Sequence, residues 1–205
     1  MALMSTKLSG VAASFKGGRR YVHATDLIVW LDAFAADLGD ASVVKKVEFH
    51  QQLSTIGKLE VAQPLSAEEK KAASVTGILA NQSGIRRFAI FPTDNVIADH
   101  DRDYAEEKAW DNCKIDPKGE WISLRPVDSL TTAENLSSAM KRLCTQAMPA
   151  RKRWWFVRLA KDGPLPSTAG TITLKDPRIT AGRFVSSKIL IDDEEIGRID
   201  FLGHE

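Results

Sequence analysis

The feature of this 205-residue sequence that most constrains its fold is a pattern that occurs twice. In each half, a stretch with apolar residues every three or four positions precedes several short runs of alternating apolar and polar residues. The first pattern is typical of an amphipathic helix and the second of half-buried strands. With one short strand predicted ahead of each helix, the order is strand, helix, four strands, twice. Such self-similarity indicates two copies of one structural unit.

Three matched stretches support the repeat. In the helices, Leu27, Leu31, Phe34 and Leu38 match Leu136, Met140, Leu143 and Ala147. After each helix, Phe49, Leu53, Gly57 and Leu59 match Trp155, Leu159, Gly163 and Leu165. Near each end, Ile78, Leu79 and Ile85 match Ile189, Leu190 and Ile196. The alternative is that two antiparallel α+β segments merely share strand and helix periodicities.

The predicted elements follow from local signals. The first long helix is predicted over 25–38, capped by Thr25 and ended by Gly39 in a left-handed conformation. Capping boxes at Ser66–Glu69 and Thr131–Glu134 predict a short helix and a second long helix that ends near Ala147. Strands are predicted over 10–15, 43–53, 58–62, 75–80 and 85–91, where Pro92 ends the run, and over 120–125, 153–159, 171–174, 184–191 and 196–202. We therefore predict a first repeat over 1–92, a linker with a short helix over 93–119, and a second repeat over 120–205.

Composition narrows the function classes. The chain is 43% hydrophobic and 27% charged with a formal net charge of +1, which predicts a folded core and offers no electrostatic basis for broad binding to nucleic acid or anionic membranes. Two cysteines without metal-ligand spacing favour free thiols in a reducing compartment. No apolar run is long enough to span a bilayer, and the amino terminus does not resemble a signal peptide. We predict a cytoplasmic protein without a metal or cofactor.

One helix against an antiparallel meander, with a strand ahead of it, resembles the hotdog fold, and the segment 49–61 is similar to its strand, glycine turn and strand. The predicted fold class is therefore α+β: two tandem β-α-ββββ hotdog-like repeats that form one pseudo-two-fold antiparallel sheet with two central helices, a double hotdog. The two repeats should then share one strand order.

The resemblance to the thioesterase and dehydratase superfamily implies an acyl thioester ligand, carried by coenzyme A or acyl carrier protein, in an apolar tunnel between the repeats. It implies hydrolysis or dehydration as the chemistry, and a pseudo-dimer within one chain that leaves further homodimerisation open. The sequence lacks the His-Phe-Pro segment of the dehydratases. The stretch from Asn95 through 99–105 approaches the hydratase-like motif with its spacing off by one residue.

Three side chains are candidates for catalysis. His23 lies at the mouth of the first helix, where free backbone N–H groups can polarise a carbonyl, and an imidazole can act as a general base near neutral pH. Asp26 follows three residues later. Glu134 occupies the corresponding end of the second helix as an acid/base partner. In the alternative reading, Asp26 and Glu134 interact with the helix dipoles and His23 is a surface residue. Trp30, Phe34 and Met140 are the predicted ligand-binding residues.

Two further clusters have ordinary structural readings. The run 99–103, Asp-His-Asp-Arg-Asp, could hold a divalent ion, but a solvated helix start is the stronger interpretation. The run 151–158 mixes cations with aromatic residues, as nucleic-acid platforms do, but a core strand is the stronger interpretation, so nucleic acid is an unlikely partner. Three functions stay open: an acyl-thioester enzyme or binder, a non-catalytic scaffold that uses 94–112, and a nucleic-acid binder.

Overall fold

The computed structural model describes residues 4–7, 9, 14–16, 18–62, 65–97, 104, 106–151 and 153–204. The chain divides into two compact units, Met1–Tyr104 and Ala105–Glu205. This division falls inside the segment 93–119 that the sequence predicts as a linker.

The first unit packs one long helix against an antiparallel sheet. Its elements are β1 (Met4–Lys7), α1 (Ala24–Asp37), β2 (Val43–Phe49), β3 (Thr55–Ala62), α2 (Ala67–Ala72), β4 (Val75–Asn81) and β5 (Gly84–Val96). The sheet order is β1-β3-β5-β4-β2. Leu27 and Leu31 of α1 are buried in one core with Leu59, Phe88 and Ile90 of the sheet. The apolar stripe read from the sequence is thus the buried face of the helix.

The second unit follows the same plan. After a 3₁₀ helix (Glu106–Asn112) come β6 (Cys113–Ile115), β7 (Trp121–Leu124), α3 (Thr132–Ala147), β8 (Arg153–Lys161), β9 (Ile172–Thr180), β10 (Phe184–Ile191) and β11 (Glu194–His204). Its sheet order is β8-β11-β10-β9-β7-β6. The helix α3 packs against β7, β8, β9 and β11. Each unit therefore has the predicted helix and four following strands, and the second adds β6 within the predicted linker. The strand predicted before α3 is β7, whereas the strand before α1 is β1 (Met4–Lys7), which lies ahead of the predicted 10–15.

The two units do not share one strand order, so that prediction is wrong. β3 pairs with β5 in the first unit, whereas β9 pairs with β10 in the second. β3 and β4 both neighbour β5 and therefore run in the same direction, and such strands need a crossover connection, which α2 supplies here. β9 and β10 are joined by the turn 181–183, which can connect only adjacent antiparallel strands. The hairpins β4–β5 and β10–β11, which match in sequence, therefore occupy corresponding places in the two sheets. In the first unit the second strand of the hairpin, β5, borders β3, whereas in the second unit the first strand, β10, borders β9.

Several predicted boundaries are wrong for identifiable reasons. Pro92 does not end β5, because the strand continues past it and Pro92 pairs with Gly57 of β3. On the side of β4 the pairing of β5 ends at Ile90, so no hydrogen bond to β4 requires the N–H that proline lacks. Pro177 lies within β9 where the register with β10 shifts. α1 begins one residue before Thr25, and the residue at its N-cap is His23. Of the predicted strand 10–15, residues 10–13 lie outside the described residues.

The stop signal at Gly39 and the two capping boxes are confirmed. Gly39 has a φ of 70°, and both predicted capping boxes are present. Among the described residues, no helix combines the length and apolar character needed to cross a membrane. The cytoplasmic location stays a prediction.

Candidate functional site

A group of buried polar side chains surrounds the amino end of α1. Lys16 and Thr25 are fully buried, and Asp26 and His23 are 3% and 6% exposed. The chain before the helix is held in place by the Val22 N–H, which donates to the Leu53 carbonyl at 2.8 Å. Gly18, with a φ of 70°, forms the turn in which the Arg19 N–H donates to the Lys16 carbonyl. The segment before α1 therefore returns two cations to the start of the helix.

The centre of this group is an ion pair. The Lys16 ammonium lies 3.2 Å from Asp26 Oδ1 and also donates to the Thr25 hydroxyl at 3.3 Å. Its Nζ lies 4.2 Å from the centroid of the Tyr104 ring, a cation–π geometry. Because both charges are removed from water, each depends on the other and on these further contacts for its stability.

His23 connects the ion pair to a second cation. Its Nε2 lies 2.7 Å from Arg19 Nη1, and its Nδ1 lies 2.7 Å from the Thr25 hydroxyl. A guanidinium can only donate, so Nε2 must accept and the ring proton must be on Nδ1, where it donates to Thr25. The imidazole is therefore neutral in this arrangement. It also lies against Tyr104, with the ring centroids 5.1 Å apart.

This geometry holds a basic nitrogen at a helix N-terminus. The His23 side chain makes no capping hydrogen bond to α1, so it does not serve the helix as Thr131 serves α3. The partial positive charge of the helix start and the Arg19 guanidinium both favour an electron-rich oxygen nearby. His23 can accept a proton at Nε2 once Arg19 turns to another partner.

The other predicted catalytic residues are held in structural contacts. Asp26 lies in the same group as His23, but its carboxylate pairs with Lys16. Glu134 lies in the other unit and is 3% exposed; its Oε2 accepts the Thr131 N–H at 2.6 Å. Glu134 is thus the carboxylate of a capping box. Its predicted role as a partner of His23 stays a prediction.

The predicted ligand-binding residues occupy two different environments. Trp30 and Phe34 are half-buried on α1, and their rings stack with centroids 5.5 Å apart. Met140 is fully buried on α3 in the second unit. A surface pocket of about 740 Å³ lies in the second unit between the end of α3, the turn before β7 and β9, and none of these three residues lines it. Their role with a ligand stays a prediction.

Sequence reasoning missed most of the group around His23. Lys16, Arg19 and Tyr104 have no periodic relation to α1, and Thr25 was predicted only as a cap. Lys16 is ten positions from Asp26, and Tyr104 is far along the chain, so no local spacing rule connects them. The one available signal was the density of polar residues next to an otherwise apolar helix.

The sequence contains two further sets of reactive side chains, the cysteines and the run 99–103. Cys113 and Cys144 are free thiols in the second unit; burial raises the pKa of Cys113 to about 11 and raises that of Cys144 further. The candidate metal run 99–103 lies outside the described residues. Within the described ranges, no group of three or more His, Cys, Asp or Glu side chains could hold a metal ion.

Comparison with solved structures identifies the fold. The structure is similar to a dehydratase domain of a trans-AT polyketide synthase from Brevibacillus brevis, with a TM-score of 0.52, 8% identity, and coverage of 99% of this chain and 94% of that one. It is also similar to a monomeric dehydratase domain from a trans-AT polyketide synthase split module, with a TM-score of 0.49, 9% identity, and coverage of 98% and 97%.

A third similar structure is a bifunctional dehydratase-cyclase domain in ambruticin biosynthesis, with a TM-score of 0.48, 12% identity, and coverage of 99% and 92%. The Brevibacillus similarity shows the fold alone, since so low an identity carries no activity with it. No protein-family model matches the sequence, and no curated protein matches it.

Proposed function

Since the chain has the double hotdog fold, we propose that it binds an acyl thioester, carried by coenzyme A or by an acyl carrier protein, at the amino end of α1. The observation that carries the proposal is the buried group of His23, Arg19, Thr25, Lys16 and Asp26 at that end. Buried polar groups are expensive to keep in a folded protein, and convergent ones mark candidate sites.

Each part of the ligand has a partner in this arrangement. The thioester carbonyl oxygen accepts from the backbone N–H groups at the start of α1, where the helix dipole is positive. The Arg19 guanidinium turns from His23 toward an anionic group of the ligand. This movement frees Nε2 of His23, which faces the acyl chain next to the carbonyl. The half-buried pair Trp30 and Phe34 lies about two to three turns along the same helix and supplies apolar surface.

Turnover requires more than binding does. In hydrolysis His23 would take a proton from water, and in dehydration it would take the proton next to the carbonyl while an acid protonates the departing hydroxyl. Asp26 is paired with Lys16, and Glu134 accepts from the Thr131 backbone, so neither is placed as that acid. Binding is therefore the better supported function. The strand orders of the two units differ, but the residues of the proposed site all belong to the first unit, so the proposal does not require the two orders to match.

The proposal is tested by thermal unfolding with a panel of acyl-CoA and acyl-pantetheine thioesters of increasing chain length. We expect at least one thioester to raise the midpoint of the wild-type protein, and His23→Gln and Arg19→Gln to abolish that shift. The matched control is His50→Gln: His50 also bonds a threonine, Thr76 at 2.8 Å, but is exposed at the end of β2. It should keep the shift.

Two results would refute the proposal: no shift with any thioester, or a shift that survives both substitutions at the start of α1. Incubation of each shifting thioester with the protein, followed by chromatography of the products, then separates a binder from an enzyme. Free acid marks hydrolysis and an unsaturated acyl chain marks dehydration.

The scaffold alternative, which uses 94–112 as a binding element, stays a prediction. Asp94 and Asn95 belong to β5, and the 3₁₀ helix 106–112 is packed on α3, where the Ser138 hydroxyl donates to the Glu106 carbonyl at 2.7 Å and Lys141 pairs with the Glu106 carboxylate. These contacts make both ends of the predicted linker part of the two units.

A further inference from the structure

The sheet of the second unit has a face that the proposed function does not use. One face packs on α3 through buried residues such as Leu159, Ile199 and Phe201. Residues directly opposite each other on paired strands lie on the same face, and residues alternate between faces along a strand. The other face, here called the outer face, is therefore formed by the residues of β8, β9, β10 and β11 that alternate with those facing α3.

The register places cations in two rows across the outer face. Arg158, Asp200, Ser186 and Arg178 form one row across four strands. The next row contains Arg198, Lys188 and Lys175. One further cation, Arg153, lies opposite His204 at the end of β8. Lys188 is paired with Asp176 at 3.2 Å and with Glu195 at 3.5 Å, and Arg158 is paired with Asp200. The unbalanced positive charge of the outer face therefore comes from its other cations, Arg153, Arg178, Arg198 and Lys175.

Aromatic and apolar side chains lie beside these cations. Trp155, Leu202, Phe184 and Thr180 form the row that adjoins Arg158. Trp155 is 44% exposed, which is unusual for so large an apolar residue, and its ring centroid lies 4.4 Å from that of His204. The register of β8 places Trp154 and Trp155 on opposite faces, as alternation along a strand predicts, and of the two only Trp155 is exposed.

Internal contacts hold some of these cations in place. Arg158 Nε donates to Asp200, a carboxylate with no exposure, and Arg198 Nη1 donates to the Ser186 hydroxyl at 3.2 Å. A single internal bond leaves most donors of each guanidinium available. Arg153 and Arg178 are exposed and make no ion pair within the described part of the chain. The face therefore combines fixed cations with free ones.

We infer that the outer face of the second unit binds single-stranded nucleic acid, with a base stacked on Trp155 and the phosphates paired with Arg153, Arg158, Arg178 and Arg198. The cations match a polyanion, and the exposed indole offers a flat surface to any base. An acidic protein is the competing occupant, since exposed tryptophans also occur at protein interfaces, and competition by polyglutamate separates the two in the test below. This inference concerns a different unit from the thioester site, so either can fail without the other.

The test measures fluorescence anisotropy of labelled oligothymidylate with the full-length protein at several salt concentrations. Trp155→Ala should weaken binding about tenfold or more because stacking on this ring is lost. Arg153→Glu with Arg178→Glu should weaken it at least as much and flatten the salt dependence. Both sites are exposed, so the fold is expected to survive, which thermal unfolding verifies.

The matched control reverses two exposed cations of the same unit that lie off this face, Lys118→Glu with Arg125→Glu, and should leave binding unchanged. The inference is overturned by absent binding at low salt, by binding that survives Trp155→Ala, or by an equal loss in the control. Competition by a polyglutamate peptide as effective as unlabelled oligothymidylate would also overturn it, because the face would then be a general anion surface.

Discussion

The amino end of α3 is closed by its own first turn, whereas the amino end of α1 is surrounded by charged side chains from outside the helix. At α3, Thr131 and Glu134 exchange two hydrogen bonds between side chain and backbone. At α1, His23 makes no capping bond, and Lys16 and Arg19 reach the helix start instead. The first arrangement satisfies the free backbone N–H groups of the helix with its own side chains. The second keeps polar side chains buried beside the helix start, where they are available to a ligand. One repeated element thus serves stability in one unit and carries the candidate site in the other.

The largest expected effect comes from breaking the ion pair at α1. Lys16→Met leaves the Asp26 carboxylate buried without its cation, and we expect a loss of about 3–5 kcal/mol in the free energy of unfolding. Urea unfolding measures it. The control is Lys46→Met, because Lys46 pairs with Glu48 at 2.8 Å with both side chains about one-third exposed, and such pairs contribute less than about 1 kcal/mol. Equal losses in the two variants would remove the distinction between the helix ends.

The second effect is specific to α3 and depends on pH. Burial raises the pKa of the Cys144 thiol above its ordinary value of 9.0, so at alkaline pH the unfolded chain loses this proton before the folded chain does. The thiol's contribution to the free energy of unfolding is therefore complete below pH 9.0. It is lost as pH rises above that value, at about 1.4 kcal/mol per pH unit. At the matching position α1 has Ala35. Unfolding at several alkaline pH values should show a shallower decline for Cys144→Ala, and an unchanged slope would contradict this account.

A smaller effect is expected at the capping box of α3. Thr131→Ala removes the bond that the hydroxyl accepts from the Glu134 N–H at 3.2 Å, at a cost of about 1 kcal/mol. The thioester-induced thermal shift should persist, because this helix end is used for stability. If Thr131→Ala abolished the shift and His23→Gln preserved it, the assignment of the two ends would have to be exchanged.

The smallest effect is expected at the capping box of α2, which is exposed, and it shows how much burial adds to the stability that a capping box contributes. Ser66 and Glu69 form the same capping box on α2, a helix with no buried residue. Hydrogen bonds from the Ser66 backbone and side chain lower the pKa of Glu69, so their contribution is present above the ordinary value of 4.5 and is lost as pH falls through the lowered pKa. Ser66→Ala should cost less than Thr131→Ala in urea unfolding at neutral pH. A larger cost would show that burial does not strengthen the motif.

How much the sequence predicted depends on how far apart the interacting residues are. Both capping boxes join residues three positions apart, and each was predicted. The pairing of β3 with β5, and not with β4, was not predicted. The alternation along a strand shows which residues share a face of the sheet, but it does not show which strands are neighbours. The helix predicted at Ser66 was nonetheless a signal that β3 and β4 need not be adjacent. His23 and Asp26 were found from their place on the helix, whereas their partner Lys16 depends on the fold of the preceding segment.

The crossover between β3 and β4 has a consequence for the order of assembly. In the described part of the first unit, three of the four strand pairings join strands that are not consecutive, against two of five in the second. Pairings between distant segments close larger loops and form more slowly. During translation, however, the amino-terminal unit emerges before the other at about 5–20 residues per second. The first unit, whose topology folds more slowly, therefore has several seconds to fold before synthesis of the second unit is complete.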